Sequence, residues 1–285
     1  MTETTILFGP DDHLVGTFTA PPAGVPARND VLLLLTNAGV IPRIGPHRLN
    51  VRIARHFAQR GIPSLRFDTS GLGDSERSTG TASVNAQFVA DTRAAMDAAE
   101  RQFGRRNFIM MGFCSGGDIA YMTALEDARL KAISLFDSYV YPTRKTQLFS
   151  LRHRLRTAGA VGLVRKLAQR IGRRFAAHAD TSPSEPAPPR TIFGRANVPP
   201  KHEFAAKIDR LVERDVKIMF AYSGGEPNAY NYARQFHETF AGHAFVDQVH
   251  YAYLDRCDHV LTQPHAQRAF LEVADRWLSD LVLDR

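Results

Sequence analysis

"RNFIMMGFCSGGDIAYMTALED", Arg106 to Asp127, runs from an apolar stretch into a glycine-flanked cysteine and then into a helical pattern. "RNFIMMGF" reads as a strand running directly into the glycines, and "GGDIAYMTALED" continues as a helix. A nucleophile displayed at a tight strand-to-helix turn needs small residues two positions before and two after it, because the turn is strained and the backbone crowds there. Centred on Cys114 those positions are Gly112 and Gly116, and both fit. Centred on Ser115 they are Phe113 and Gly117, and Phe113 is too large. The spacing therefore assigns the exposed thiol to Cys114 and leaves Ser115 to offer its backbone N–H to an oxyanion. The N-terminus of the following helix favours a thiolate. The competing reading is structural: Cys114 as a small buried hydrophobe in a glycine turn.

Working outward, strand and helix patterns alternate. "TTILFG" and "HLVGTFTAPP" flank the turn Gly9 to Asp12 as an antiparallel hairpin. "DVLLLLTNAG" is a continuous apolar run of the kind found in a strand covered on both sides. In "HRLNVRIARHFAQRG", Leu49, Ile53 and Phe57 share one face of an amphipathic helix that Gly61 stops. "IPSLRFD", "LKAISLFD", "VKIMFAYSG" and "QVHYAYLD" read as further strands. "ASVNAQFVADTRAAMDAAERQFG", "HEFAAKIDRLVERD" and "PHAQRAFLEVADRWLSDLV" read as helices. This order predicts an α/β fold with a mostly parallel sheet, helices on both faces and an antiparallel N-terminal hairpin at one edge.

Residues 142–202 interrupt the rhythm, so the chain divides into core 1–141, a basic helical cap or insertion 142–202, and core 203–285. Residues 142–201 hold thirteen Lys and Arg against two Asp and Glu. That is +11 in a chain whose total is +7, which leaves −4 elsewhere. An Arg-rich helical pattern is followed there by the Pro/Ser-rich "ADTSPSEPAPPRTIFG". Phe149, Phe175 and Phe193 are too sparse among the basic residues for a nucleic-acid surface. Three readings remain for the segment: a cap presenting Arg to an anionic acyl donor, a solvated charged face, and, less favoured, peripheral membrane contact through 144–175. Two cysteines without CxxC spacing, Cys114 and Cys257, suggest neither a disulfide framework nor a zinc site. The start lacks a basic and apolar leader, so the expectation is a cytoplasmic protein. No glycine-rich nucleotide motif follows a strand, and no cofactor or metal is expected.

"LLLLTNAG", "LRFDTSGLGDS", "GFCSGG" and "DRCDH", in this order, resemble the α/β-hydrolase superfamily over nearly the whole chain. The G-x-C-x-G-G stretch resembles the cysteine-nucleophile elbow of dienelactone hydrolases. "NAGVIPRIGPHRLNVRIAR" and "LRFDTSGLGDSE" look similar to the α/β-hydrolases associated with exosortase and exopolysaccharide systems. The resemblance implies an α/β-hydrolase fold and a triad in the chain order nucleophile, acid, histidine. It places the base at His259, in the loop before the final helix, with His265 a distant second. For the acid it offers Glu226, after the strand that follows the insertion, and as an alternative Asp137, one strand earlier; Asp255 and Asp258 read as loop caps. It places the second oxyanion N–H at Ala38 or Gly39, beside that of Ser115, although Thr36-Asn37 stands where many relatives have His-Gly. "DTSGLGDS", Asp68 to Ser75, reads as a structural loop.

A Cys-His-acid site attacks activated carbonyls, and its acyl-cysteine is itself a thioester that passes its acyl group to water, an alcohol or an amine. The expected activity is therefore hydrolysis of an ester or thioester. Acyl transfer in polysaccharide or specialised-metabolite biosynthesis is the alternative, and a non-catalytic binding module the second. The expected partner is a small acyl substrate, with a coenzyme A or carrier-protein thioester as one candidate donor.

Overall fold

The computed structural model describes residues 1–28, 31–152, 198–225 and 229–283, with side chains described to residue 279. Eight strands form one sheet: β1 (Glu3–Phe8), β2 (Leu14–Thr19), β3 (Val31–Leu35), β4 (Ser64–Phe67), β5 (Asn107–Phe113), β6 (Leu130–Phe136), β7 (Lys217–Ser223) and β8 (His250–Leu254). Their spatial order is β1-β2-β4-β3-β5-β6-β7-β8. β1 pairs with β2, and β2 with β4, in antiparallel fashion; every other pairing is parallel. The sheet is thus the mostly parallel one expected, with the hairpin at its edge.

The helices are α1 (Leu49–Ala58), α2 (Val84–Phe103), α3 (Ser115–Glu126), α4 (Lys201–Glu213), the short α5 (Gln235–Thr239) and α6 (Pro264–Leu283). Two apolar clusters sandwich the sheet. One joins Leu32 and Leu34 to Phe88 and Met96 of α2, Ile119 of α3 and Phe204 of α4. The other joins Leu33 and Leu35 to Leu49, Ile53 and Phe57 of α1 and Phe270 and Trp277 of α6. Successive side chains of a strand point to opposite faces, so the unbroken run Leu32 to Leu35 feeds both cores alternately. Each of those four leucines is fully buried.

All the parallel strands point their C-terminal ends to one edge, where ligands bind in sheets of this class. β5 lies at the centre of the sheet and delivers Cys114 there, while β6 and β7 end beside it at Asp137 and Ser223. The chain leaves the sheet at this edge after β6 and returns to it through α4. Residues 144–152 are helical; most of the segment read as a cap, 153–197, lies outside the described residues. Among the described residues no helix is long and apolar enough to cross a membrane.

Candidate active site

Cys114 occupies the one-residue corner between β5 and α3 with φ 54° and ψ −121°. That conformation is costly for a residue with a side chain and is held only where the surroundings dictate it. The glycines explain how they do so. A Cβ on Gly112 would lie 2.2 Å from the carbonyl oxygen of Gly116, and one on Gly116 would lie 2.8 Å from the carbonyl oxygen of Asn37. The two arms of the corner and the loop after β3 therefore touch through backbone alone. Phe113 turns away, packing against Phe136 and Phe270 with ring centroids 5.2 and 4.9 Å apart. Its side chain belongs to the core, as the sequence spacing required if Ser115 was not the displayed residue. Cys114 is partly exposed, whereas Cys257 is buried.

His259 stands in the loop between β8 and α6. Its Nδ1 donates to Oδ2 of Asp137 at 2.9 Å, and Cys114 lies near enough to the ring to favour its protonated form. The carboxylate of Asp137, and then the sulfur of Cys114, hold the imidazole proton far more tightly than usual. They outweigh partial burial and raise the His259 pKa from 6.5 to about 10. Asp137 itself is 2% exposed against 31% for His259. It follows β6 with φ 50°, its own N–H bonded to the Ala221 carbonyl at 2.9 Å. The loop that carries His259 packs tightly on the end of β7. A Cβ on Gly224 would lie 2.1 Å from the Asp255 carbonyl oxygen, and one on Gly225 would lie 2.8 Å from the His259 nitrogen.

The remaining residues singled out from the sequence fall as follows. Glu226, the first choice for the acid, lies outside the described residues, so the alternative Asp137 is the described carboxylate that meets His259. Asp258 caps its own loop by accepting from the N–H groups of Val260 and Thr262 at 3.1 and 3.0 Å. His265 is exposed and reaches only the Arg256 carbonyl at 3.4 Å. Ser115 opens α3, where the first N–H groups of a helix have no intrahelical acceptor. Ala38 and Gly39 follow β3 beside it, and the Gly39 N–H donates to the Ser115 hydroxyl oxygen at 2.9 Å.

Several supporting residues were not legible in sequence. Ser223, the last residue of β7, donates its N–H and its hydroxyl to the two oxygens of Asp137. Asn37 braces the loop after β3 by donating to Asp68 at 2.8 Å and accepting from the Thr69 N–H at 2.8 Å. The Arg43 guanidinium binds both Asp68 and Asp74, so the loop read as structural works by gripping its neighbour. On the far side of the corner a Cβ on Gly117 would meet the Cβ of Ser138 at 2.8 Å. Ser138 in turn donates to Asp118 at 2.5 Å, a carboxyl that burial pushes up to about 6. The only advance signal for these residues was their position at strand ends. Among the described residues no group of His, Cys, Asp and Glu is arranged to hold a metal ion.

Solved structures share this architecture along the whole chain. An α/β serine hydrolase without lid from Xanthomonas campestris aligns with a TM-score of 0.55 at 14% identity, covering 97% of this chain and 94% of the other. This chain has the α/β-hydrolase fold. An esterase from Pyrococcus furiosus aligns with a TM-score of 0.56 at 14% identity, covering 97% of this chain and 91% of the esterase. The meta-cleavage product hydrolase of Pseudomonas fluorescens gives 0.57 at 14%, covering 98% of each chain. Residues 47–186 of this chain match the family model described as serine aminopeptidase, S33. No curated protein matches its sequence. The Xanthomonas protein and the family model are both described as serine enzymes, whereas this chain carries Cys114 at the corner.

Proposed function

We propose that this protein hydrolyses an ester or thioester through Cys114, His259 and Asp137, by way of an acyl-cysteine. The observation that carries this reading is the imidazole of His259, bonded through Nδ1 to Asp137 and close enough to Cys114 for the sulfur to favour its protonated form. With Nδ1 committed to Asp137, Nε2 is the nitrogen left to hold the proton exchanged with the Cys114 sulfur. The sulfur then attacks the carbonyl carbon: an S–C bond forms and the C=O π pair moves to oxygen, where the backbone N–H of Ser115 receives it. Collapse breaks the bond to the leaving alkoxide or thiolate, which takes the proton from His259. Water, deprotonated by the same imidazole, attacks the thioester and releases the acid, and the proton returns to Cys114.

The resemblance of the GxCxGG corner to dienelactone hydrolases supports the choice of cysteine. The basic segment after β6 supports an anionic acyl donor, such as a coenzyme A or carrier-protein thioester, and the likeness to exosortase-associated hydrolases supports a polysaccharide-related setting. The decisive experiment is trapping. A His259→Ala variant is incubated with acyl thioesters and p-nitrophenyl esters and the intact protein is weighed. The expected result is an acyl adduct located on Cys114 by peptide mapping. Turnover retained by Cys114→Ala overturns the reading, and acylated alcohol or amine as main product in the wild type assigns transfer instead of hydrolysis.

A further inference from the structure

We propose that the Ser115 side chain is itself an oxyanion donor and that Gly39 acts through it; this rests on Cys114 being the nucleophile. The Ser115 oxygen sits 2.9 Å from the Gly39 nitrogen as the acceptor of its N–H. That is the place a substrate oxygen would take if Gly39 stabilised it directly. A hydroxyl has one proton to donate besides the lone pairs with which it accepts. Among the described residues no acceptor receives the Ser115 proton, and the residue is only 3% exposed. A buried donor without a partner costs about 1–3 kcal/mol in a resting protein. At a site where negative charge develops during reaction, that donor gains its partner in the transition state.

The surroundings fix the hydroxyl for this task. Ser115 is anchored at the first position of α3, next to Cys114. The Gly39 N–H comes from a loop that Asn37 ties to Asp68 and Thr69, and whose backbone at Asn37 abuts Gly116. A hydroxyl that accepts one hydrogen bond is polarised to donate a stronger one. The oxygen of the tetrahedral intermediate then receives the backbone N–H of Ser115 and the hydroxyl of the same residue, with the Gly39 N–H behind it.

The test compares wild type with Ser115→Ala in three measurements: kcat/KM on an acyl thioester, inhibition by the aldehyde analogue of that acyl group, and the rate of Cys114 alkylation by iodoacetamide. The aldehyde forms a tetrahedral adduct that needs the oxyanion donors, whereas alkylation does not. The expected result is a fall in kcat/KM of about 10²-fold or more, a matching loss of aldehyde affinity, and unchanged alkylation. Ser115→Gly repeats the comparison should the alanine variant fold poorly. The proposal is overturned if turnover stays within about threefold of wild type, because the freed Gly39 N–H then serves directly. It is equally overturned if alkylation falls in step with turnover, because the serine then only shapes the corner. Failure of the underlying reading shows differently, as turnover that survives Cys114→Ala.

Discussion

Ser223 grips both carboxylate oxygens of Asp137: its N–H donates to Oδ1 at 2.7 Å and its hydroxyl to Oδ2 at 2.6 Å. The end of β7 thereby holds the carboxylate that follows β6, and His259 completes the set of donors. Ser223→Ala removes one charge-assisted bond from a buried carboxylate. Loss of about 1.5–3 kcal/mol in urea unfolding is expected, with kcat falling and KM little changed. A variant with wild-type stability and turnover would falsify the positioning role.

Cys114 is partly exposed, while Cys257 is buried, where burial first and the nearby carboxylates Asp258 and Asp255 push its thiol pKa up. At neutral pH one equivalent of iodoacetamide should label Cys114 and spare Cys257, as peptide mapping would reveal. Equal labelling of the two in the folded protein contradicts an activated Cys114.

The His259 imidazole titrates near 10 instead of 6.5 because Asp137, and next Cys114, favour its protonated form. A group whose pKa is raised on folding binds its proton more tightly in the native state. Its contribution to stability is complete below about pH 6.5 and disappears as pH rises through about 10. Chemical unfolding at pH 6, 8 and 10.5 should show this decline. In Asp137→Asn the partner that does most to hold the proton is gone, and the decline should move to lower pH and shrink.

A Cβ at Gly112 meets backbone at 2.2 Å, and no side-chain rotation relieves a backbone contact. Gly112→Ala should destabilise the protein by at least about 1–3 kcal/mol and open the corner. Circular dichroism melting together with the alkylation rate of Cys114 checks both effects.

Asp68 is fully buried and answered by Arg43, whose charge is opposed by its own burial but sustained by Asp74 and Asp68. Arg43→Met leaves that carboxylate without its cation, at a cost of about 3–5 kcal/mol. Since Asp68 also holds Asn37, kcat should fall with stability. Asp74→Asn, exposed at the rim, should change both far less.

Much of this was visible in the chain before folding. The run Leu32 to Leu35 and the spacing of Leu49, Ile53 and Phe57 announce a covered strand and an amphipathic helix, because burial imposes its periodicity directly on the order of residues. That Cys114 and not Ser115 occupies the strained corner was legible for a similar reason. The constraint is local, between Gly112 and Gly116, and any bulk there collides within five residues.

The carboxylate that meets His259 was not decided in this way. Asp137 and His259 are 122 residues apart, and nothing in either neighbourhood ranks Asp137 above Glu226. Only the parallel pairing of β6 with β7 brings Ser223 beside Asp137, and only the packing of Gly224 and Gly225 against the β8–α6 loop brings His259 to it. The same holds for the Gly39 N–H meeting Ser115 across 76 residues. The sequence by itself determined the elements, the layers of the core and the strained corner, since these follow from local sterics and hydrophobic period. The tertiary structure decided which polar groups share a proton or a hydrogen bond, since bonds of about 3 Å depend on how distant strand ends are stacked side by side.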